Sequence, residues 1–113
     1  MAGKFEITKA GDTFSFELFI DDKAVGKSPV FDKEDACKRG VKAVKKNSRM
    51  KVQNTLANDE EKTNPKYLVE ADGEKVKYTL FLQTGAVALE GSADSEAEVL
   101  DIIEKIGNNA NAA

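Results

Sequence analysis

Two stretches of this chain decide its fold: KFEITKAGDTFSFELFIDDKAV, residues 4–25, and KYLVEADGEKVKYTLFLQTGAV, residues 66–87. They align without a gap at a shift of 62 positions. Lys4, Gly11, Leu18, Phe19, Ala24 and Val25 meet identical residues in the second stretch. The match continues beyond it, with Asp32 on Asp94, Glu34 on Glu96 and Asn47 on Asn109. Phe5 meets Tyr67, Ile7 meets Val69, Phe16 meets Tyr78 and Val44 meets Ile106. Residue types agree where structural roles would agree, so the chain reads as two copies of one unit.

Each copy carries the same signals. Phe5 and Ile7 alternate with polar residues, the mark of a half-buried strand. Gly11 and Asp72-Gly73 supply the turns that follow. A second strand places Phe14, Phe16, Leu18 and Ile20 on one face, and Val76, Tyr78, Leu80 and Leu82 in the second copy. Turns at Asp21-Asp22-Lys23 and Gln83-Thr84-Gly85 lead into third strands, over 24–28 and 86–90. A helix follows in each copy. Asp32 is the expected N-cap of the first, with Ala36, Cys37, Gly40, Val41 and Val44 as its apolar stripe. Ser95 and Glu98 have the spacing of a capping box in the second. Its stripe is Val99, Leu100, Ile102, Ile103 and Ile106, and Gly107 is the expected left-handed stop.

Residues 50–55 alternate again and read as a fourth strand. Residues 56–65, LANDEEKTNP, read as a linker. The closing NNANAA is too small and polar to hold a strand and is expected to fray. The domain reading is a first β-β-β-α-β repeat over 1–55, the linker over 56–65, and a second β-β-β-α repeat over 66–113. Together they form one joint α+β domain of two tandem β-β-β-α(-β) repeats. The expected architecture is one largely antiparallel sheet with both helices packed on one face.

GKFEITKAGDTFSFELF and VFDKEDACKRGVKAVKKNS resemble the YegP-like family of small bacterial and archaeal proteins. Phe5, Ile7, Phe16, Leu18, Phe31, Ala36, Gly40, Val44, Lys46 and Asn47 carry the resemblance. It implies β-β-β-α-β units that join into one sheet and exchange their last strands. It implies no catalytic residues and no established activity. Two departures stand out. The second copy lacks its last strand, so any exchange is one-sided. The family also has a basic residue where Phe19 and Phe81 stand.

The 113 residues hold no histidine and one cysteine, Cys37. Ser-His-Asp and Cys-His catalysis are therefore excluded, and so is an internal disulfide. Cys37 lies on an apolar stripe and reads as a packed, inert thiol. Gly26-Lys27-Ser28 echoes a phosphate loop, but Asp21 stands at the leading glycine position and Pro29 interrupts the helix start. Asp59 to Glu70 echoes a calcium loop, but Asn64 replaces its glycine and Pro65 follows. No cofactor or metal is expected, and no enzyme. The start alternates polar and apolar residues and no run nears the length of a membrane span. A cytoplasmic protein without membrane contact is expected.

Two surfaces remain as candidates. Residues 1–55 carry 12 Lys and Arg against 8 Asp and Glu, whereas 56–113 carry 5 against 12. Much of the basic excess is one helical stripe, Lys38, Lys42, Lys45 and Arg49, widened by Arg39 and Lys46. The plain reading is the wet side of an amphipathic helix. The functional reading is a weak nucleic-acid binder whose phosphate contacts are Lys38, Lys42, Lys45, Lys46 and Arg49. Glu96, Glu98, Asp101 and Glu104 on the second helix are counterpart acids for attraction between copies. The other surface is Phe19 and Phe81, which alternation points away from the helices. The leading expectation is a non-enzymatic binding or assembly module acting through the open sheet face. Phe19 and Phe81 would be its anchors for a protein partner or for self-association.

Overall fold

The computed structural model describes residues 3–112. Strands β1 (Gly3–Ala10), β2 (Thr13–Ile20) and β3 (Lys23–Lys27) precede helix α1 (Glu34–Asn47). Then come β4 (Val52–Asn54), a 3-10 turn (Thr55–Ala57), β5 (Lys66–Asp72), β6 (Lys75–Phe81) and β7 (Val87–Ala93). Helix α2 (Glu96–Asn109) and a second 3-10 turn (Ala110–Ala112) follow. The seven strands form one mixed sheet in the order β1-β2-β3-β7-β6-β5-β4. Every pair is antiparallel except β4 with β5, which is parallel.

The two halves meet where β3 pairs with β7, at Lys27 and Glu90. That seam is short, and Tyr78 closes it. The Tyr78 hydroxyl crosses from β6 to donate to the Val25 carbonyl oxygen at 2.6 Å. Gly26 and Gly91 leave room for it. A Cβ on Gly91 would lie 2.6 Å from the Val25 oxygen and 2.7 Å from the Tyr78 ring.

The expected alternation is realised. Phe16, Leu18, Ile20, Tyr78 and Leu80 are buried on the face that meets Cys37 and Val44 of α1 and Val99, Ile103 and Ile106 of α2. Asp21 and Asp22 turn with positive φ, as a two-residue hairpin requires. The pairing registers of the first hairpins agree at the 62-residue shift: Phe5 faces Leu18 as Tyr67 faces Leu80. The second hairpins depart from it. Val25 and Ala88 are the bulged residues, one position out of step with the ungapped match.

Several boundaries differ from expectation. The fourth strand is confined to 52–54, and Thr55 begins the 3-10 turn, where the Asn54 side chain accepts from the Leu56 amide. The third strands run over 23–27 and 87–93. The N-cap of α1 is Lys33, without a side-chain cap, not Asp32. Phe31 is held in a two-hydrogen-bond bridge with Phe14, so the chain stays extended past Asp32 before it coils. Gly107 does not stop α2, which continues to Asn109. There the Asn109 side chain donates to the Lys105 carbonyl and Ala110 is buried, so residues 108–112 are helical, not frayed; Ala113 lies outside the described residues. Leu100 is 36 % exposed, because it sits on the flank of the stripe that buries Val99, Ile103 and Ile106. Ser95 does cap α2, accepting from the Glu98 amide at 3.2 Å.

Candidate functional site

The flank where α1 passes β1 carries a groove of about 430 Å³. Phe5 and Ile7 form its β1 wall and Val41 its α1 wall, with Lys4, Lys38, Lys42 and Lys45 around them. Strand alternation turns Phe5 and Ile7 toward the helix side. Helical spacing sets Lys38, Val41, Lys42 and Lys45 along one flank of α1. Ile7 is 40 % exposed. Lys45 holds its ammonium 5.7 Å from the centre of the Phe5 ring. Lys38 pairs with Glu34 at 3.3 Å and Lys4 with Glu6 at 3.5 Å, both in exposed positions. Lys42 makes no ion pair among the described residues.

The matching place in the second half, between β5 and α2, is filled. Strand β4 lies along β5, pairing Val52 with Tyr67 and Asn54 with Val69. The Tyr67 amide donates to the Lys51 carbonyl at 2.8 Å, and the Thr55 hydroxyl donates to the Val69 carbonyl at 2.7 Å. Tyr67 and Val69 are wholly buried. Lys66 sits on the opposite face of β5, and its ammonium donates to Gln53 Oε1 at 2.7 Å and the Lys62 carbonyl at 2.8 Å. Among the described residues, nothing pairs with the outer edge of β1.

Two solved structures share this architecture. The UPF0339 protein SO3888 of Shewanella oneidensis superposes with a TM-score of 0.77 at 19% identity, over 98% of this chain and 86% of that one. The E. coli protein YegP, itself of unknown function, superposes with a TM-score of 0.72 at 20% identity, over 97% of this chain and 87% of that one. The fold is that of the YegP-like proteins. No family model and no curated protein matches the sequence.

On this YegP-like fold the five basic residues separate. Lys38, Lys42 and Lys45 line the β1–α1 groove. Lys45, Lys46 and Arg49 border a smaller depression with Ser48 and Asn111. Arg49 has a packing role, since its Nε donates to the Gly107 carbonyl at 2.9 Å and ties the end of α1 to α2. No ion pair joins the α1 lysines to the acids of α2 among the described residues. Asp101 instead pairs with Lys105 at 3.0 Å, and that hydrogen bond raises the Lys105 pKa.

Phe19 and Phe81 are not brought together. Strands β3 and β7 lie between them, and the register sets them on opposite sides of the Lys27–Glu90 pair. Three strand spacings alone separate them by about 14 Å. Each ring is half-buried beside a lysine of its neighbouring strand: Lys4 lies over Phe19 at 5.7 Å, and Lys66 is the register partner of Phe81. Phe5, Ile7 and Val41 read from the sequence as packing residues and Lys4 as part of the internal match, not as site residues. The signal is positional: Phe5 and Ile7 align with Tyr67 and Val69 at the 62-residue shift, and among the described residues no strand lies along β1 as β4 lies along β5.

The remaining groups are already engaged. The Ser28 hydroxyl, in the phosphate-loop echo, accepts from the Phe16 amide at 2.8 Å and donates to the Pro29 carbonyl at 2.7 Å. In the calcium-loop echo, Asp59 accepts from the Asn54 amide, while Glu70 on β5 faces Lys77 at 3.9 Å. No cluster of three metal-ligating side chains occurs among the described residues. Burial pushes the Cys37 thiol above its ordinary value, with Glu34 adding to the shift. Burial likewise raises Tyr67 and Tyr78. A second groove, of about 400 Å³, lies beside α2 and gathers charged groups, among them Lys75, Asp94, Asp101 and Lys105. Lys75 pairs with Asp94 at 3.0 Å, so its charges largely answer one another. No helix among the described residues is long and apolar enough to cross a membrane.

Proposed function

We propose that the protein is a non-enzymatic binding module made of two tandem copies of one β-β-β-α unit, and that its binding surface is the β1–α1 groove. One observation carries the reading: apolar positions that are wholly buried beside β4 in the second half are partly exposed in the first. Ile7 is 40 % exposed where Val69 is 0 % exposed. Uncovered apolar surface beside a free strand edge is a surface suited to a partner. The absence of histidine and the raised thiol and phenol pKa values support a binding role over a catalytic one. The cytoplasm is the compartment that fits a single buried thiol.

This moves the binding surface from the open sheet face to the flank. Phe19 and Phe81 are too far apart to anchor one small partner, although each remains a candidate contact for a larger protein or a second copy. Nucleic acid is the second reading, favoured by Lys38, Lys42 and Lys45 lying on one groove with Lys46 just beyond. The test is fluorescence anisotropy with a labelled acidic peptide and with labelled single-stranded RNA, at low and at physiological salt. Saturable binding of either, weakened by Lys42→Glu with Lys45→Glu, supports the groove. Binding that the double variant leaves unchanged would refute it and return attention to Phe19→Ser with Phe81→Ser.

A further inference from the structure

We infer that the β1 edge takes an extended, acidic segment of a partner protein as an added strand, running parallel to β1. The inference rests on the groove being the binding surface and names its occupant. Register fixes which backbone groups are offered. Phe5 faces Leu18 as Tyr67 faces Leu80, and the Tyr67 amide and Val69 carbonyl both point outward to residues of the added strand side. The amides and carbonyls of Phe5 and Ile7 therefore point outward, while those of Lys4 and Glu6 are engaged with β2.

Direction follows from the filled half. There β4 runs parallel to β5, and α1 spans 34–47 as α2 spans 96–109, at the same 62-residue shift. The 3-10 turn Ala110–Ala112 lies against α1 and β1, where residues 48–50 lead into β4 in the other half. A strand entering beside it would run parallel to β1. Side-chain chemistry follows as well. Val52 packs on the core, while Gln53 turns to the other face and accepts from Lys66. The occupant should therefore place apolar side chains against Phe5, Ile7 and Val41, with an acid between them facing Lys4. Further acids at its margin would meet Lys38 and Lys42.

Charge selects the source. Antiparallel β1–β1 pairing of two copies would bring both sets of lysines together, and like charges at an interface oppose association. Single-stranded nucleic acid would satisfy the lysines but not the outward strand edge, and Phe5, the aromatic ring in the groove, already carries Lys45 over its face. An acidic polypeptide satisfies all three features together: lysines, apolar walls and strand edge.

The probe is a labelled heptapeptide alternating Val and Glu. Controls are the same peptide with N-methyl groups on alternate amides, in each of the two phases, and a Val-Lys analogue. Anisotropy should show saturable binding of the Val-Glu peptide, no binding of the Val-Lys peptide, and loss of binding in one N-methyl phase. Lys42→Glu with Lys45→Glu should weaken binding about tenfold or more, as expected for reversing two rim charges. Its thermal unfolding, matching the parent, confirms that the variant is folded. Hydrogen exchange should slow at the Phe5 and Ile7 amides on peptide addition, with Lys4 and Glu6 unchanged. Peptide binding without that protection, or indifferent to N-methylation, would overturn strand addition while leaving the groove as a binding surface. RNA binding lost in the double variant, with no peptide binding, would overturn the occupant but keep the groove. Failure of every probe to bind would overturn both.

Discussion

Replacing Gly91 by alanine tests the seam between the halves most directly. In an ordinary strand the change should be favourable, because glycine in a strand interior costs about 0.5–1 kcal/mol relative to alanine. Gly91 needs no positive φ, so backbone conformation does not oppose it. Packing does. The new methyl would sit 2.6 Å from the Val25 carbonyl oxygen and 2.7 Å from Tyr78 Cε2. Ordinary carbon–oxygen and carbon–carbon contacts are about 3.3 Å and 3.5–4.0 Å. Neither neighbour is free to yield. The Val25 oxygen is backbone and accepts the Tyr78 hydroxyl, and the wholly buried Tyr78 ring packs against Tyr67 at 6.1 Å between centroids.

Overpacking costs about 1–3 kcal/mol, and with both neighbours held in place the upper part of that range, about 2–3 kcal/mol, applies and outweighs the propensity gain. Gly91→Ala should therefore lower stability by about 1–2 kcal/mol, or roughly 3–6 °C in Tm per kcal/mol for a chain of this length. Urea unfolding followed by circular dichroism reads the change. Tyr78→Leu removes the ring edge and should show favourable coupling with Gly91→Ala of about 1 kcal/mol. Tyr78→Phe keeps the ring, loses the hydrogen bond at a cost of about 1 kcal/mol, and leaves the clash intact. A Gly91→Ala protein as stable as the parent, or more so, would refute the account of the seam.

Three further expectations concern caps, the buried acids and the two rings. Ser95→Ala should cost α2 about 1 kcal/mol, whereas Asp32→Ala should stay within about 0.5 kcal/mol, because Asp32 caps nothing; urea midpoints distinguish them. Stability should decline above about pH 9. Burial raises the Cys37 thiol above its ordinary 9.0 and both tyrosines above 10.0. The unfolded chain then releases these protons first, so their contribution is complete below the unfolded values and is lost as pH rises toward the folded ones. Cys37→Ala should shrink the early part of that decline, and a pH-independent midpoint from 8 to 11 would contradict it. Phe19→Ser and Phe81→Ser should change stability additively within about 0.5 kcal/mol, since the sheet holds the rings apart.

Much of the architecture is legible in the sequence. The 62-residue shift carries both helices, 34–47 and 96–109, and the register of both first hairpins. The same shift also locates two boundaries that local signals misplace. Ser95 lies opposite Lys33, not Asp32, so the first cap position holds no capping side chain. Gly107 lies opposite Lys45, in mid-helix. The local signals, a carboxylate before a helix and a glycine near its end, point elsewhere; the Phe14–Phe31 bridge holds the chain extended ahead of α1, and α2 runs through Gly107 to Asn109.

The sequence by itself determined the elements and their faces, because alternation, helical stripes and turn residues are local properties. Only the tertiary structure decided strand order, and with it the meaning of both candidate surfaces. Residues 52–54 are too few to choose a partner by pattern, and their pairing with β5 depends on where α1 delivers the chain. Lateral placement separates Phe19 from Phe81, although alternation gives them the same direction. It also sets Lys38, Lys42 and Lys45 around the groove that Phe5 and Ile7 of β1 share with Val41 of α1.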